Sequence, residues 1–124
     1  MIVAAGQFAP IPGDIEANVH RMDGLIRAAA EQSARVVVFP ELALTGYELG
    51  LIRQDPGLWP AEDDKRLDPV RQACRATSTV AVVGGPVPTE SGRPGISSLV
   101  IGPGGGLLAR YDCEDDRVPL RAVA

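Results

Sequence analysis

Three short apolar runs, separated by segments of a different period, constrain this chain more than any other feature. They are Ile2 to Phe8, "ARVVVF" at 34–39 and "TVAVVGG" at 79–85. Such runs, rich in β-branched residues and bounded by Gly and Pro, are strands, and the near-unbroken apolarity of the second and third predicts burial on both faces. The first ends at "APIPGD"; the second ends at Pro40, which holds Phe39 extended. Between them Ile15, Val19, Met22, Leu25, Ile26 and Ala29 recur in steps of three and four, one face of an amphipathic helix. Asp14 stands at its N-cap position with Glu16 in the first turn, and Gly24 weakens it without stopping it. A second helix is predicted over about 66–78, with Leu67, Val70 and Cys74 on one side. Residues 48–65 read as a long loop with one helical turn. "ISSLVIG" and "LLARY", joined by "PGGG", read as an antiparallel pair. The order β-α-β-α-β plus a hairpin predicts an α/β fold, a mixed sheet with helices packed against it.

Composition narrows the function classes. The 124 residues make one domain with a modest core. A formal net charge of −4 offers no basic footprint for nucleic acid. No apolar run reaches the roughly 18–20 residues that span a bilayer. "MIVAAGQFAP" lacks a basic n-region and begins like a strand, so a signal peptide is not expected. Cys74 and Cys113 have no short-range pairing motif and fit a reducing compartment, hence a soluble cytoplasmic protein.

The most pointed local chemistry is "VVVFPELALTGY" at 36–47. It delivers Glu41 into a loop at the exit of a buried strand, the usual place for a catalytic group in an α/β protein. A buried glutamate there can act as a general base. The competing reading is structural: Glu41 caps the loop by accepting backbone N–H bonds around "LTGY".

The whole segment "VVVFPELALTGY" resembles the first signature of the nitrilase (carbon–nitrogen hydrolase) superfamily. "VAAGQFAPIPGDIEANV", with Gln7, Gly13, Asp14 and Asn18, is similar to that family's opening strand. "VAVVGGPV" resembles its third strand, and "LVIGPGGGLLARY" the hairpin that leads to the tyrosine before the catalytic lysine. The resemblance covers about residues 2–111, the first half of the family's usual domain by length. It implies the N-terminal half of an α-β-β-α sandwich over 1–111, with 112–124 as an atypical tail. It also implies a Glu-Lys-Cys site that hydrolyses small amides, nitriles or carbamoyl groups, with no cofactor and no metal. In that site a cysteine thiolate attacks to form an acyl intermediate, the glutamate serves as general base and the lysine stabilises the developing negative charge. Glu41 matches the glutamate.

The other two members do not carry over. The family pattern Tyr-x-Lys meets Tyr111-Asp112-Cys113 here, so Cys113 occupies the lysine position. A thiol cannot replace a fixed cation beside an oxyanion. The family's nucleophile lies further downstream, in a strand-to-helix turn. Cys74 falls on a predicted helix face and is expected in the core. Cys113 precedes Glu114, Asp115 and Asp116, whose charges repel the negative charge a nucleophilic thiolate must carry. The expectation is a carbon–nitrogen hydrolase by descent, truncated and inactive alone. The alternative is a non-catalytic fragment or interaction module that pairs with another chain.

The sandwich implied by the resemblance also bears on partners. With only a first half present, helices cover one face of the sheet and the other stays apolar and open. A homo-oligomer or a complementing chain is therefore expected, with no nucleic acid or membrane partner. Weaker signals are read structurally. "GPGGG" lacks a following Lys-Ser/Thr and is a hairpin turn, not a phosphate cradle. The "EDD" triplets at 62–64 and 114–116 are solvated acidic loops, and His20 is expected exposed on the polar side of the first helix.

Overall fold

Residues 1–113 are described by the structure, a computed structural model. Five strands run in the order in which they occur in the chain: β1 (Ile2–Ala5), β2 (Ala34–Val38), β3 (Val80–Gly85), β4 (Ile96–Ile101) and β5 (Leu107–Cys113). β1, β2 and β3 pair in parallel, and β3–β4 and β4–β5 are antiparallel, so the sheet is mixed as the sequence pattern predicts. Helix α1 (Ile15–Glu31) makes the first crossover; α2 (Leu49–Gln54) and α3 (Asp68–Thr77) lie in the second. Asp14 caps α1, accepting from the Ala17 N–H at 3.1 Å. The hairpin turn closes on itself, Gly102 N–H donating to Gly106 O at 2.8 Å, with Gly105 at φ +87° where a side chain would be strained.

Two parallel crossovers that step the same way across the sheet place α1 and α3 on one side, because such connections are right-handed. The two helices pack against each other, α1 against β2 and α3 against β3. The register puts Ala4, Val37, Ala81 and Ile101 in one row across that face, with Val83 opposite Leu99 in the next. Met22, Ile26, Val70 and Cys74 pack down on these rows and are fully buried.

The opposite face differs from the sequence expectation of strands buried on both sides. Its rows are Val3–Val36–Val80 and Ala5–Val38–Val82–Val100–Ala109. Val3 is 58% exposed and Val38 41%, since among the described residues both helices have gone to the other side. The first strand is also shorter than its apolar run. After Ala5 the pairing ends with Gly6 N–H on Val38 O, and Phe8 turns to meet Phe39 edge-on, ring centroids 6.1 Å apart. Residues 48–65 hold more structure than a loop with one helical turn: α2, then a 3-10 turn at 56–58.

Candidate active site

Glu41 leaves β2 on a turn that the main chain closes by itself. Phe39 N–H still donates to Val82 O, and Pro40 then removes a donor and ends the ladder. Within the turn Ala43 N–H donates to Pro40 O, and Thr45 N–H and Gly46 N–H both donate to Leu42 O, the last at 2.8 Å. Leu42, directly after Glu41, sits at φ +55°, a left-handed conformation that a non-glycine residue holds only when its surroundings enforce it.

Those surroundings are explicit. Leu44 N–H donates to Gly84 O on β3 at 3.0 Å, and Gly13 N–H donates to Thr45 O at 2.9 Å. Buried Asn18, on α1, donates from Nδ2 to Leu44 O and to Ile11 O, both at 2.9 Å, and accepts from Ile11 N–H at 2.8 Å. One amide thus ties the Glu41 turn to the 9–13 segment. On the other side the turn lies directly on β3. A Cβ at Gly84 would stand 2.7 Å from Leu42 N and 2.9 Å from Pro40 O, so only glycine admits this approach.

Through all this the Glu41 carboxylate makes no hydrogen bond or ion pair among the described residues, and the residue is exposed. The capping alternative is therefore corrected: the N–H groups of Leu44, Thr45 and Gly46 are satisfied by main-chain carbonyls, not by Glu41. Asn18 and Gly84 position the turn, a role the sequence does not reveal: Asn18 stands out only as part of the opening-strand resemblance and Gly84 only stands inside a quoted motif, because their partners are distant in the chain.

Topology also accounts for where Cys113 falls. β5 runs parallel to β3, so the C-terminal ends of β2 and β5 share one edge of the sheet. Three strand spacings, about 14 Å, separate those ends at the level of the sheet. The turn over Gly84 leans across one of them. Leu42 and Cys113 line the same cavity of about 290 Å³, together with Leu49, Ile52, Arg53 and Arg93. The positions that the resemblance assigns to the glutamate and the lysine are thus brought to one end of the fold. Cys74 is not: it is fully buried on α3, and burial pushes its thiol up to about 11, which suppresses the thiolate.

The remaining candidates resolve simply. Glu62 and Asp64 are not merely solvated, because each is held by an arginine: Glu62 by Arg110 at 2.9 Å and Asp64 by Arg66 at 2.8 Å. The triplet at 114–116 lies outside the described residues, as does most of the 112–124 tail. His20 is exposed, as expected. Among the described residues no cluster of His, Cys, Asp or Glu could hold a metal, and no helix is long and apolar enough to cross a membrane.

A mixed sheet covered on one side, with a carboxylate presented on a locked turn at the C-terminal end of its second strand, defines a class of α/β protein built to carry a site at that edge. Residues 2–114 match the family model described as carbon–nitrogen hydrolase, and the chain belongs to that family. The omega-amidase NIT2 of Homo sapiens is 33% identical over 106 residues, which cover 85% of this chain and 36% of that protein. An aliphatic nitrilase of Sinorhizobium fredii (strain HH103) is 47% identical over a shorter stretch of 47 residues, 38% of this chain and 15% of the nitrilase. In three dimensions an amidase from Nesterenkonia sp. superposes with a TM-score of 0.75 at 25% identity, covering 89% of this chain and 41% of the amidase. A variant of that amidase carries the acetamide moiety of fluoroacetamide covalently on its active-site cysteine. This chain therefore spans well under half the length of the relatives it matches.

Proposed function

We propose that this chain carries the general base of a thiol-dependent hydrolase of small non-peptide amides, nitriles or carbamoyl compounds, and that Glu41 is that base. The observation that carries the reading is a carboxylate left without a structural partner on a turn fastened from two sides. Fixing a side chain's backbone while leaving its charged end unengaged is what a proton-transfer group requires. The family match over residues 2–114 supports the same assignment. In this reading Glu41 takes the proton from the attacking thiol and later from water. The charge-stabilising cation is missing at Cys113, and neither cysteine within 1–113 suits the role of nucleophile. The open face of the sheet supports a second part of the proposal: it takes a further apolar layer, from a complementing chain or a second copy of this one. Val3, Val36, Val38, Val82 and Val100 make a patch of the kind monomers rarely expose beyond a few hundred Å².

The test is direct. The purified 124-residue chain is expected to hydrolyse no small amide or nitrile, and Cys113→Lys alone is expected to leave it inactive because the attacking thiol is still lacking. Turnover that vanishes in Glu41→Gln would overturn the claim of inactivity while supporting the base. Turnover in Cys113→Lys that survives Glu41→Gln would overturn the placement of the site.

A further inference from the structure

A second cavity, of about 400 Å³, opens between the segment that follows β1 and the first half of α1, at the β1 edge of the sheet. Its volume lies within the range of small-molecule sites, roughly 300 to 1,000 Å³. Phe8 and Ile11 line one wall, and Ala17, Asn18, His20 and Arg21 of α1 line the other. The apolar wall is firm but uncovered: Phe8 is braced edge-on against Phe39, while Ile11 stays 53% exposed. The Asn18 amide is already spent on Ile11 and Leu44. Arg21 and His20 are not spent: neither side chain makes a hydrogen bond or ion pair with another described residue. The carboxylates on either side of Arg21 in the chain are taken, Asp14 by the Ala17 N–H and Asp23 by Arg27 at 2.7 Å.

We propose that this cavity is a binding site for a small aryl carboxylate, its ring laid against Phe8 and Ile11 and its carboxylate held by Arg21, with His20 as a second N–H donor. A guanidinium presents paired N–H donors that match the two oxygens of a carboxylate, and an aromatic wall favours a ring over an alkyl chain. The formal net charge of −4 repels anions in general, so retention of one here needs a local cation. Inorganic phosphate has the charge but no ring, and a neutral amide has the ring but no charge, so the cavity favours neither. The site is separate from the Glu41 carboxylate and requires no turnover. Its failure would leave the assignment of Glu41 intact, and the failure of that assignment would leave this site intact.

Equilibrium dialysis of the full chain against radiolabelled phenylacetate tests it. Saturable binding is expected, with phenylacetamide and inorganic phosphate each about tenfold weaker or more. Arg21→Gln should weaken phenylacetate about tenfold and His20→Ala about threefold. Both side chains are exposed, so the unfolding midpoints should match the parent's. Arg93→Gln removes an equally exposed guanidinium that does not line this cavity, and should leave binding unchanged. This contrast separates the site from nonspecific uptake of the ring by the open face of the sheet. Absence of saturable binding, equal binding of the amide or of phosphate, indifference to Arg21→Gln or to His20→Ala, or an equal loss in Arg93→Gln would overturn the proposal.

Discussion

Leu99 and Val38 belong to the same sheet and to opposite worlds. Leu99 is fully buried under the helices, whereas Val38, one strand-step from the Glu41 turn, is 41% exposed on the bare side. Both are apolar, so their sequence chemistry does not separate them; the handedness of two crossovers does. The covered face therefore carries the stability of the described domain, and the open face leaves Val3 and Val38 exposed. The Glu41 turn sits where the two meet. It is fastened through Asn18 and Gly84, yet it offers its carboxylate to solvent.

The largest effect that sharpens this comparison is a paired substitution across the sheet. Leu99→Ala should cost about 2–5 kcal/mol by removing buried contacts and leaving a cavity. Val38→Ser should cost far less and should lower self-association, seen as a smaller light-scattering mass and weaker binding of a hydrophobic dye. A Val38→Ser chain as destabilised as Leu99→Ala, with unchanged scattering, would mean that the second face is already covered.

Next in size is a contrast within the turn. Asn18→Ala strands the Leu44 and Ile11 groups it serves, at a cost of about 1–3 kcal/mol in a denaturant titration. Glu41→Gln should leave the unfolding midpoint unchanged, because the carboxylate has no partner to lose among the described residues. A stability loss in Glu41→Gln equal to that of Asn18→Ala would restore the structural reading of Glu41.

The smallest effect is electrostatic and lies away from the site. The Arg66 guanidinium beside Asp64 holds its carboxyl below the usual carboxylate range, partly opposed by burial. A folded pKa below the unfolded value means the pair stabilises the fold above about pH 4 and loses that contribution as pH falls through the folded value. Asp64→Asn should therefore be slightly less stable than the parent at pH 7, with the difference closing at more acidic pH. A gap that persists unchanged to pH 2 would assign the loss to the Arg66 N–H bond and packing.

Much of this was legible in the residues. The helical period of Ile15, Val19, Met22 and Ile26 and the cap at Asp14 are local properties, and they fixed α1. The strand runs and the Pro/Gly turns fixed the order and the hairpin, and one long motif placed Glu41. Less was legible where distance in the chain decides. The end of β1 at Ala5 goes with Phe8 leaving to pack on Phe39, and its one local sign is Gly6, over which the Phe39 ring lies. Asn18 and Gly84 owe their roles to contacts with the turn around 40–46. The short helix α2 has no side-chain cap and too few turns to show a period. The bare face escaped the pattern for a further reason: apolar alternation reports what a strand would bury, not whether a partner is there.

The central proposal is that Glu41 is held as the base of a carbon–nitrogen hydrolase site whose cation and nucleophile are not found within residues 1–113. A chimera tests it most directly: residues 1–113 of this chain, with Cys113→Lys, in place of the matching portion of the Nesterenkonia amidase. Once its cooperative unfolding shows that it is folded, hydrolysis of small amides should be measurable and should fall by about two to four orders of magnitude in Glu41→Gln. A folded chimera that is inactive with Glu41 in place, or one that is equally active with glutamine there, would contradict the account.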